Sequence, residues 1–193
     1  MIRLLGAVGL VVALASCTTQ PRATPPSTTS TAASTGTTGT TTVTTTSPRI
    51  DTPRNVASVD PCTLFTEKDL TKYKYGPFSV PPAPYEQIPG TCAATFGTGA
   101  PDDLVVLVGV LPRAYDAEKA ANPGGHQGLI EGHHVWFSCG GDAAQVSCAA
   151  WAAVAPEHSL SVSLGQKGGN ESRLLLNTQS LITDVLTRMP KAS

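Results

Sequence analysis

A long tract of threonine, serine and proline limits the part of this chain that can fold. Residues 18–48 contain 15 threonines, 4 serines and 4 prolines among 31 positions. Such a tract buries too little apolar surface to offset the entropy lost on ordering, so we predict a disordered tether over residues 17–48. The 145 residues of 49–193 are enough for one domain with a hydrophobic core. We therefore expect a single α+β domain behind a tether, which is either a bare linker or a glycosylated stalk.

The segment before the tether has the three zones of a secretion signal. Arg3 supplies a positive charge, residues 4–14 are apolar, and the small residues Ala15 and Ser16 follow. Eleven helical residues span about 16 Å, whereas the hydrocarbon core of a membrane is about 30 Å thick. We predict that residues 1–16 are a signal peptide rather than a membrane-spanning helix.

Cys17 directly follows this segment, in the run Leu-Ala-Ser-Cys. The run resembles the lipobox of bacterial lipoproteins, which implies a diacylglyceryl group on the Cys17 thiol and cleavage just before it. Two acyl chains of the palmitate type hold a protein stably on a membrane. The resemblance thus implies a lipid-anchored protein on the extracytoplasmic face of the cell membrane. A chance cysteine behind an ordinary signal peptide stays open as the alternative.

Four further cysteines lie in the predicted domain: Cys62, Cys92, Cys139 and Cys148. An even number in an exported domain predicts two disulfides, and four cysteines allow three pairings. We favour Cys139–Cys148, because the Gly-Gly-Asp run between them indicates a turn that brings neighbouring strands together. Cys62–Cys92 is then the second bridge. The spacings match no common zinc module, and we expect no cofactor.

Hydrophobic periodicity predicts the elements of the domain. Strict alternation indicates strands, and apolar residues three and four apart indicate helices. We predict helices from Thr66 to about residue 73, over 114–121 and over 171–189, strands over 91–96, 104–111, 130–139, 145–154 and 159–164, and a proline-rich loop over 78–89. Strand 104–111 is almost wholly apolar, which predicts a central strand buried on both faces. The fold class is α+β, with an antiparallel sheet of four to five strands packed by the C-terminal amphipathic helix and one or two short helices.

The segment Asp-Pro-Cys-Thr-Leu-Phe-Thr at residues 60–66 leads into the first predicted helix. A D-P-C-x-L-[LF]-T segment after a lipobox and a Thr/Ser/Pro tether resembles a family of actinobacterial lipoproteins with a domain of unknown function. The cysteine at Cys148 and the C-terminal amphipathic helix also fit that family. The usual C-x-W motif is absent at Cys92, where Cys-Ala-Ala-Thr-Phe stands instead. The resemblance implies a membrane anchor in the cell envelope and assigns no catalytic residues.

Two groups of side chains are candidates for a binding site. The first comprises His126, Glu131, His133, His134 and His158, which are the residue types that bind metals. Adjacent histidines on a strand point to opposite faces, so we predict surface histidines and no metal site. The second is a candidate contact patch at Trp136 and Trp151 on the predicted hairpin, which we expect to be core unless both side chains are exposed.

The composition and the motifs favour a binding protein over an enzyme. The net charge is only −1 and no basic cluster occurs, so we expect no nucleic-acid partner. No G-x-S-x-G nucleophile motif is present. The leading hypothesis is a non-enzymatic envelope module that binds a lipid or an envelope protein. The alternatives are a lipid or glycolipid carrier or sensor, with its ligand between the sheet and Leu174, Leu181 and Val185, and an envelope hydrolase.

Overall fold

The computed structural model describes residue 50 and residues 52–142 and 144–193, and these form an α+β domain. The strands are β1 (Phe78–Pro84), β2 (Thr91–Phe96), β3 (Leu104–Leu111), β4 (His126–Ile130), β5 (His133–Gly141), β6 (Gln145–Ala155) and β7 (His158–Lys167). The helices are α1 (Glu67–Thr71), α2 (Tyr115–Ala121) and α3 (Glu171–Arg188). Within these described ranges, none of the helices combines the length and the apolar character needed to cross a membrane.

All seven of these strands belong to one antiparallel sheet, in the order β1-β2-β3-β7-β6-β5-β4. The α+β class, the antiparallel sheet and the C-terminal helix agree with the prediction. The predicted count of four to five strands is wrong, because the sheet extends by one strand at each edge. The long crossover from β3 through α2 and the β4–β6 meander brings β7 back beside β3, so that β7 lies in the middle of the sheet.

The first additional strand is β1, which lies where the sequence predicted a loop. Its proline content misled that prediction, since Pro81, Pro82 and Pro84 cannot donate backbone hydrogen bonds. A strand at the edge of a sheet needs partners on one side only, and β1 pairs with β2 alone. The register of this pair shifts twice along β1. Proline is therefore tolerated here because the missing donors fall at an irregular edge.

The second additional strand is β4, which the sequence prediction had merged partly into the following strand. The predicted strand over residues 130–139 is broken at Glu131 and Gly132. These two residues have φ angles of 50° and 80°, the left-handed values that a tight two-residue hairpin turn requires. Glycine adopts such values without steric cost. The chain thus reverses at this turn, and β4 becomes the outer strand of a hairpin with β5.

One face of the sheet, here called the core face, is closed by α3. Alternate residues of each central strand point to this face, for example Leu160, Val162 and Leu164 of β7, all with 0% exposure. The helix α3 packs on β5, β6 and β7 through one apolar stripe. It begins at Asn170, whose side-chain oxygen accepts a hydrogen bond from the Arg173 amide at 2.9 Å. Burial of this stripe against the sheet removes apolar surface from water and so stabilises the fold.

The strand β3 alternates in burial, which corrects the prediction that it is buried on both faces. Val106 and Val108 are fully buried on the core face. Val105 on the opposite face is 42% exposed, and Leu107 there is only partly buried. The apolar residues Val105 and Leu107 of β3 therefore lie on a face of the sheet that is only partly covered.

An ion pair fixes α1 against the C-terminal end of α3. The Arg188 guanidinium donates to both carboxylate oxygens of Asp69, with the Nη1 bond at 2.6 Å. The Thr66 amide and hydroxyl also donate to Asp69, at 2.6 and 3.0 Å. Burial acts to raise the pKa of Asp69, but the hydrogen bonds from Arg188 and Thr66 outweigh it and lower the pKa. Asp69 therefore stays ionised in the fold.

Candidate functional site

The second face of the sheet, here called the cleft face, carries small and hydroxylated side chains. On β7 it presents Ser159, Ser161 and Ser163, which alternate with the leucines and valine of the core face. The only helix packed on this face within the described residues is α2, which has seven residues and contacts β6 and β7. A helix this short covers only part of a seven-stranded sheet. The uncovered part forms a depression beside α2.

This depression, here called the α2 cleft, has a volume of about 440 Å³. That volume lies within the range of small-molecule sites in proteins. Its apolar walls come from Ile88, Leu107, Leu111, Ala121, Ala149 and Trp151. Its polar groups come from Thr91, Arg113, Glu118, Asn122, Ser161 and Ser163. A cleft that combines apolar walls with polar groups is the usual form of a small-molecule site.

Glu118 is the buried acid of the α2 cleft. It lies on α2 three residues after Tyr115, so both side chains face the sheet, and both are 4% exposed. The Arg113 guanidinium lies 3.5 Å from Glu118 Oε1, yet this oxygen has no hydrogen-bond partner. Burial raises the pKa of Glu118, and the charge of Arg113 opposes the rise. The Glu118 carboxylate is therefore buried at the wall of the cleft, and its Oε1 can still accept a hydrogen bond.

Thr91 supplies a second unpaired polar atom on the floor of the α2 cleft. It is 8% exposed, and its Oγ1 has no hydrogen-bond partner. Its position depends on Gly109, the residue opposite it on β3. A Cβ on Gly109 would come within 2.4 Å of Thr91 Oγ1, so any larger residue would displace the hydroxyl. Gly109 therefore keeps space for the Thr91 hydroxyl beside the cleft.

Buried polar atoms without partners are concentrated on this side of the domain. Among the described residues there are four of them: Thr91 Oγ1, Tyr115 OH, Glu118 Oε1 and Ser159 Oγ. Two belong to α2, and two belong to strands that form the cleft face. Nearly all buried polar groups in folded proteins are paired, because leaving one unpaired costs about 1–3 kcal/mol. Two of these residues, Thr91 and Glu118, line the α2 cleft, so the cleft is the part of the described domain where such atoms border an open depression.

The two tryptophans are core residues and not an exposed contact patch. Trp136 of β5 and Trp151 of β6 lie directly opposite each other, and each is 9% exposed. They pack with Tyr115 and Ala153 in a small cluster under α2. The Trp136 indole donates to the Asn122 carbonyl at 2.9 Å and so fixes the end of α2. The exposed-patch interpretation is therefore wrong, although Trp151 forms part of the wall of the α2 cleft.

The predicted histidine group is dispersed across the domain. His133 points to the core face and His134 to the cleft face, where His134 contacts Gln127 at 2.8 Å. His126 stacks on the Phe137 ring, and His158 lines a depression at the end of the sheet. In the part of the chain that the structure describes, no three metal-binding side chains come together.

His133 is 1% exposed, so the prediction of a surface histidine is wrong at this position. Its Nδ1–H donates to the Ala153 carbonyl at 2.8 Å, which leaves Nε2 as an acceptor for Arg54 and Thr52. Arg54 also donates to the Met189 carbonyl. Burial lowers the pKa of His133, and Arg54 adds to this effect against the hydrogen bond to Ala153. This group joins the beginning of the domain to the end of α3.

The disulfides have the pairing that was expected from the sequence. Cys139 and Cys148 lie directly opposite each other on β5 and β6, with their Cα atoms 4.1 Å apart. Cys62, which lies in a 3-10 turn at Pro61–Thr63, is bonded to Cys92 of β2, with a Cα separation of 5.1 Å. Both bridges lie at the core face, where Cys92 and Cys148 belong to the hydrophobic core. They support the fold and do not border the α2 cleft.

The site that the carrier hypothesis placed between the sheet and α3 is not supported. Leu174, Leu181 and Val185 are 0% exposed and belong to the closed hydrophobic core. Interfaces of this kind are packed as densely as organic crystals. The α2 cleft lies on the opposite face of the sheet. These three residues therefore line no open cavity, because α3 packs directly on β5, β6 and β7.

Sequence reasoning missed the polar residues of the α2 cleft, above all Thr91, Arg113 and Glu118. Two signals were available: Tyr115 and Glu118 share a face of the predicted helix, and the outward positions 159, 161 and 163 of the predicted strand are all serine. Cys17, the signal peptide and the tether lie outside the described residues. Comparison with protein-family models, with curated proteins and with solved structures finds no match for the chain.

Proposed function

We propose that this chain is a lipid-anchored protein of the cell envelope whose domain binds an amphipathic small molecule in the α2 cleft. The anchor part rests on the lipobox resemblance at Cys17 and on the D-P-C segment shared with actinobacterial lipoproteins. The two disulfides support an exported location, because such bridges form and persist outside the reducing cytosol. The binding part makes the domain a non-enzymatic module held near the membrane by its tether.

The observation that carries the binding proposal is the set of unpaired polar atoms at an open apolar cleft. A closed core would have replaced Glu118 and Thr91 with apolar side chains, because each unpaired group costs stability. Both residues are more than nine-tenths buried and line the α2 cleft. A ligand that donates hydrogen bonds to them would recover this cost, while its apolar part would cover Leu107 and Trp151. The arrangement is therefore better suited to a bound molecule than to solvent.

Native mass spectrometry of the full chain purified from envelopes tests this proposal. We expect a non-covalent small molecule on the wild-type protein and a diacylglyceryl mass on Cys17. Ser163 lies on β7 between Leu107 and Ala149, so Ser163→Phe should fill the cleft and remove the bound molecule. Ser147→Phe is the matched control, because Ser147 lies on the same face of the sheet but is exposed and away from the cleft.

Retention of the bound molecule by a folded Ser163→Phe protein would contradict binding in the α2 cleft. Absence of any bound molecule from wild type and control alike would contradict the binding function itself. If Ser163→Phe does not reach the wild-type Tm, Ser161→Phe fills the same floor beside Trp151 and replaces it. An unmodified Cys17 would contradict the lipid anchor. It would not affect the test of binding in the α2 cleft.

A further inference from the structure

We propose that the ligand of the α2 cleft is a single-chain amphipath with an uncharged, hydroxylated head group. This inference rests on the proposed function, since it names the chemical class that the same cleft takes. The head group would contact Glu118 and Thr91, and the alkyl chain would leave the cleft along an apolar path over Pro89 and Pro112. Two independent features support this ligand class: the polar groups of the cleft and the apolar walls of the depressions that adjoin it.

The polar groups of the α2 cleft match hydroxyl groups. The unpaired oxygen of Glu118 accepts hydrogen bonds, and the hydroxyls of Thr91, Ser161 and Ser163 both donate and accept. Sugars and polyols carry hydroxyl groups with the same dual capacity. A sugar ring or short polyol bound in the cleft would offer both donors and acceptors to these side chains.

The charges of the α2 cleft disfavour charged head groups of either sign. An anionic head group would be placed against the buried carboxylate of Glu118. A cationic one would compete with Arg113, whose guanidinium already lies 3.5 Å from that carboxylate. Arg113 itself is 53% exposed, so its charge is largely screened by solvent and does not create an anion site. An uncharged head group avoids both conflicts.

Two smaller depressions extend the α2 cleft along the end of the sheet. The first, of about 290 Å³, shares Ile88, Leu111, Arg113 and Glu118 with the cleft and adds Pro89 and Pro112. The second, of about 280 Å³, shares those two prolines with the first and ends at Val56, Val59 and Val110. Apart from the charged pair and His158, their named walls are apolar side chains and glycine. These apolar depressions extend the cleft along one end of the sheet and give an alkyl chain a surface on which to pack.

The test uses octyl amphiphiles that differ only in the head group, added below their micelle concentrations. The protein is the oxidised full chain carrying Cys17→Ala, and affinities are measured by titration calorimetry. We expect octyl glucoside to bind about tenfold more tightly than octyl sulfate or octyltrimethylammonium, as for hydrogen bonds to a charged group. Decyl glucoside should bind about tenfold more tightly than octyl glucoside, because the path buries further methylenes.

Matched variants connect each preference to its part of the site. Thr91→Val should weaken glucoside binding about fivefold, whereas Thr95→Val, on the same face of β2 but outside the cleft, should not change it. Val56→Ser should reduce the gain from the longer chain, whereas Val80→Ser, at an exposed site on β1, should not. The threonine pair thus tests the contact with the head group, and the valine pair tests the contact with the alkyl chain.

The outcomes separate this inference from the function on which it rests. Equal or tighter binding of octyl sulfate would overturn the uncharged head group, and an unchanged affinity from octyl to decyl would overturn the chain path. In either case a molecule lost on Ser163→Phe would still support the α2 cleft as a binding site. If no amphiphile binds and Ser163→Phe loses nothing, the proposed function fails together with the inference.

Discussion

The two faces of the sheet are built by the same strands and serve different ends. The strand β7 places Leu160, Val162 and Leu164 on the core face and three serines on the cleft face. The 18-residue α3 covers β5, β6 and β7 on the core face, and the segment around residues 61–70 covers β1, β2 and β3 there. On the cleft face, the seven-residue α2 contacts β6 and β7 and leaves a depression beside it. One face is therefore closed by two segments of the chain, and the other is only partly covered.

The distribution of unpaired polar atoms follows the same division. All four such atoms among the described residues belong to α2 or to the cleft side of the strands. Each costs about 1–3 kcal/mol, so the set is a substantial fraction of a stability of about 5–15 kcal/mol. The core face, with its closed apolar packing and two disulfides, is the source of stability that makes this tolerable. We therefore expect mutations on the two faces to act on different properties.

The largest expected effect comes from removing one leucine from each face. Leu164→Ala on the core face should lower the free energy of unfolding by about 2–5 kcal/mol, because it leaves a cavity in a closed core. Leu107→Ala on the cleft face should lower it by about 1 kcal/mol, because Leu107 is only partly buried and borders an open cleft. Chemical denaturation of the oxidised protein measures both values.

The ligand affinity should show the opposite order. Leu107→Ala should weaken binding of octyl glucoside, since Leu107 lines the α2 cleft, whereas Leu164→Ala should leave it close to wild type. Equal losses of stability from the two leucines would mean that the cleft face is closed in solution, and the contrast between the faces would not hold.

A smaller effect is expected from Asp69, the ionised acid on the α3 side. Asp69→Asn should lower the free energy of unfolding at pH 7 by about 1–3 kcal/mol, because Arg188 loses a charged partner. The pKa of Asp69 is lowered below its ordinary value of 3.8 in the fold. The wild-type advantage is therefore present above about pH 4 and is lost as the pH falls through the folded-state pKa.

Asp184→Asn is the control for Asp69, because Asp184 pairs with Lys72 through two side chains that are more exposed than Asp69, at 30% and 43%. It should change the stability little at any pH. Urea denaturation from pH 3 to pH 7 compares the two variants. A loss at pH 7 that persists unchanged at pH 3 would show that the carboxylate charge of Asp69 is not the source of its contribution.

The core face was largely predictable from the sequence, because its signals are local. The apolar stripe of α3, its Asn170 cap and the alternation in β7 each lie within one element. The edge strands were not predictable in the same way. In β1 the prolines indicated a loop, and only the position at the edge of the sheet makes them compatible with a strand. In β4 (His126–Ile130) the sequence is His-Gln-Gly-Leu-Ile, in which apolar and polar residues do not alternate. The hydrophobic pattern therefore did not indicate a strand.

The α2 cleft depended on information that no single element carries. The helix α2 was predicted, but the burial of Glu118 follows from which strands lie beneath the helix. Likewise, the serines of β7 indicated a solvent face, yet Ser159 is 0% exposed because the α2 side of the domain covers it. An acid or hydroxyl becomes unusual only when burial and missing partners are both known, and both are tertiary properties.

The smallest expected effect has the opposite sign and concerns Glu118 on the cleft face. Glu118→Gln should raise the free energy of unfolding at pH 7 by up to about 1 kcal/mol, because a neutral amide is cheaper to bury than a carboxylate that lacks a hydrogen bond at Oε1 and has only the exposed Arg113 as its ion-pair partner. The pKa of Glu118 is raised in the fold above its ordinary value of 4.5. The wild-type protein therefore gains relative stability below about pH 4.5 and loses it as the pH rises through the folded-state pKa.

The gain in the free energy of unfolding from Glu118→Gln should therefore shrink towards low pH. The loss in the free energy of unfolding from Asp69→Asn should shrink there as well. Glu157→Gln, in the exposed turn between β6 and β7, should follow the wild type at every pH. If Glu118→Gln instead destabilises the domain at pH 7, then Glu118 has a structural partner, and the Arg113 ion pair is strong enough to hold it. If Glu118→Gln stabilises the domain and also weakens glucoside binding, then Glu118 contributes to ligand binding and lowers the stability of the fold.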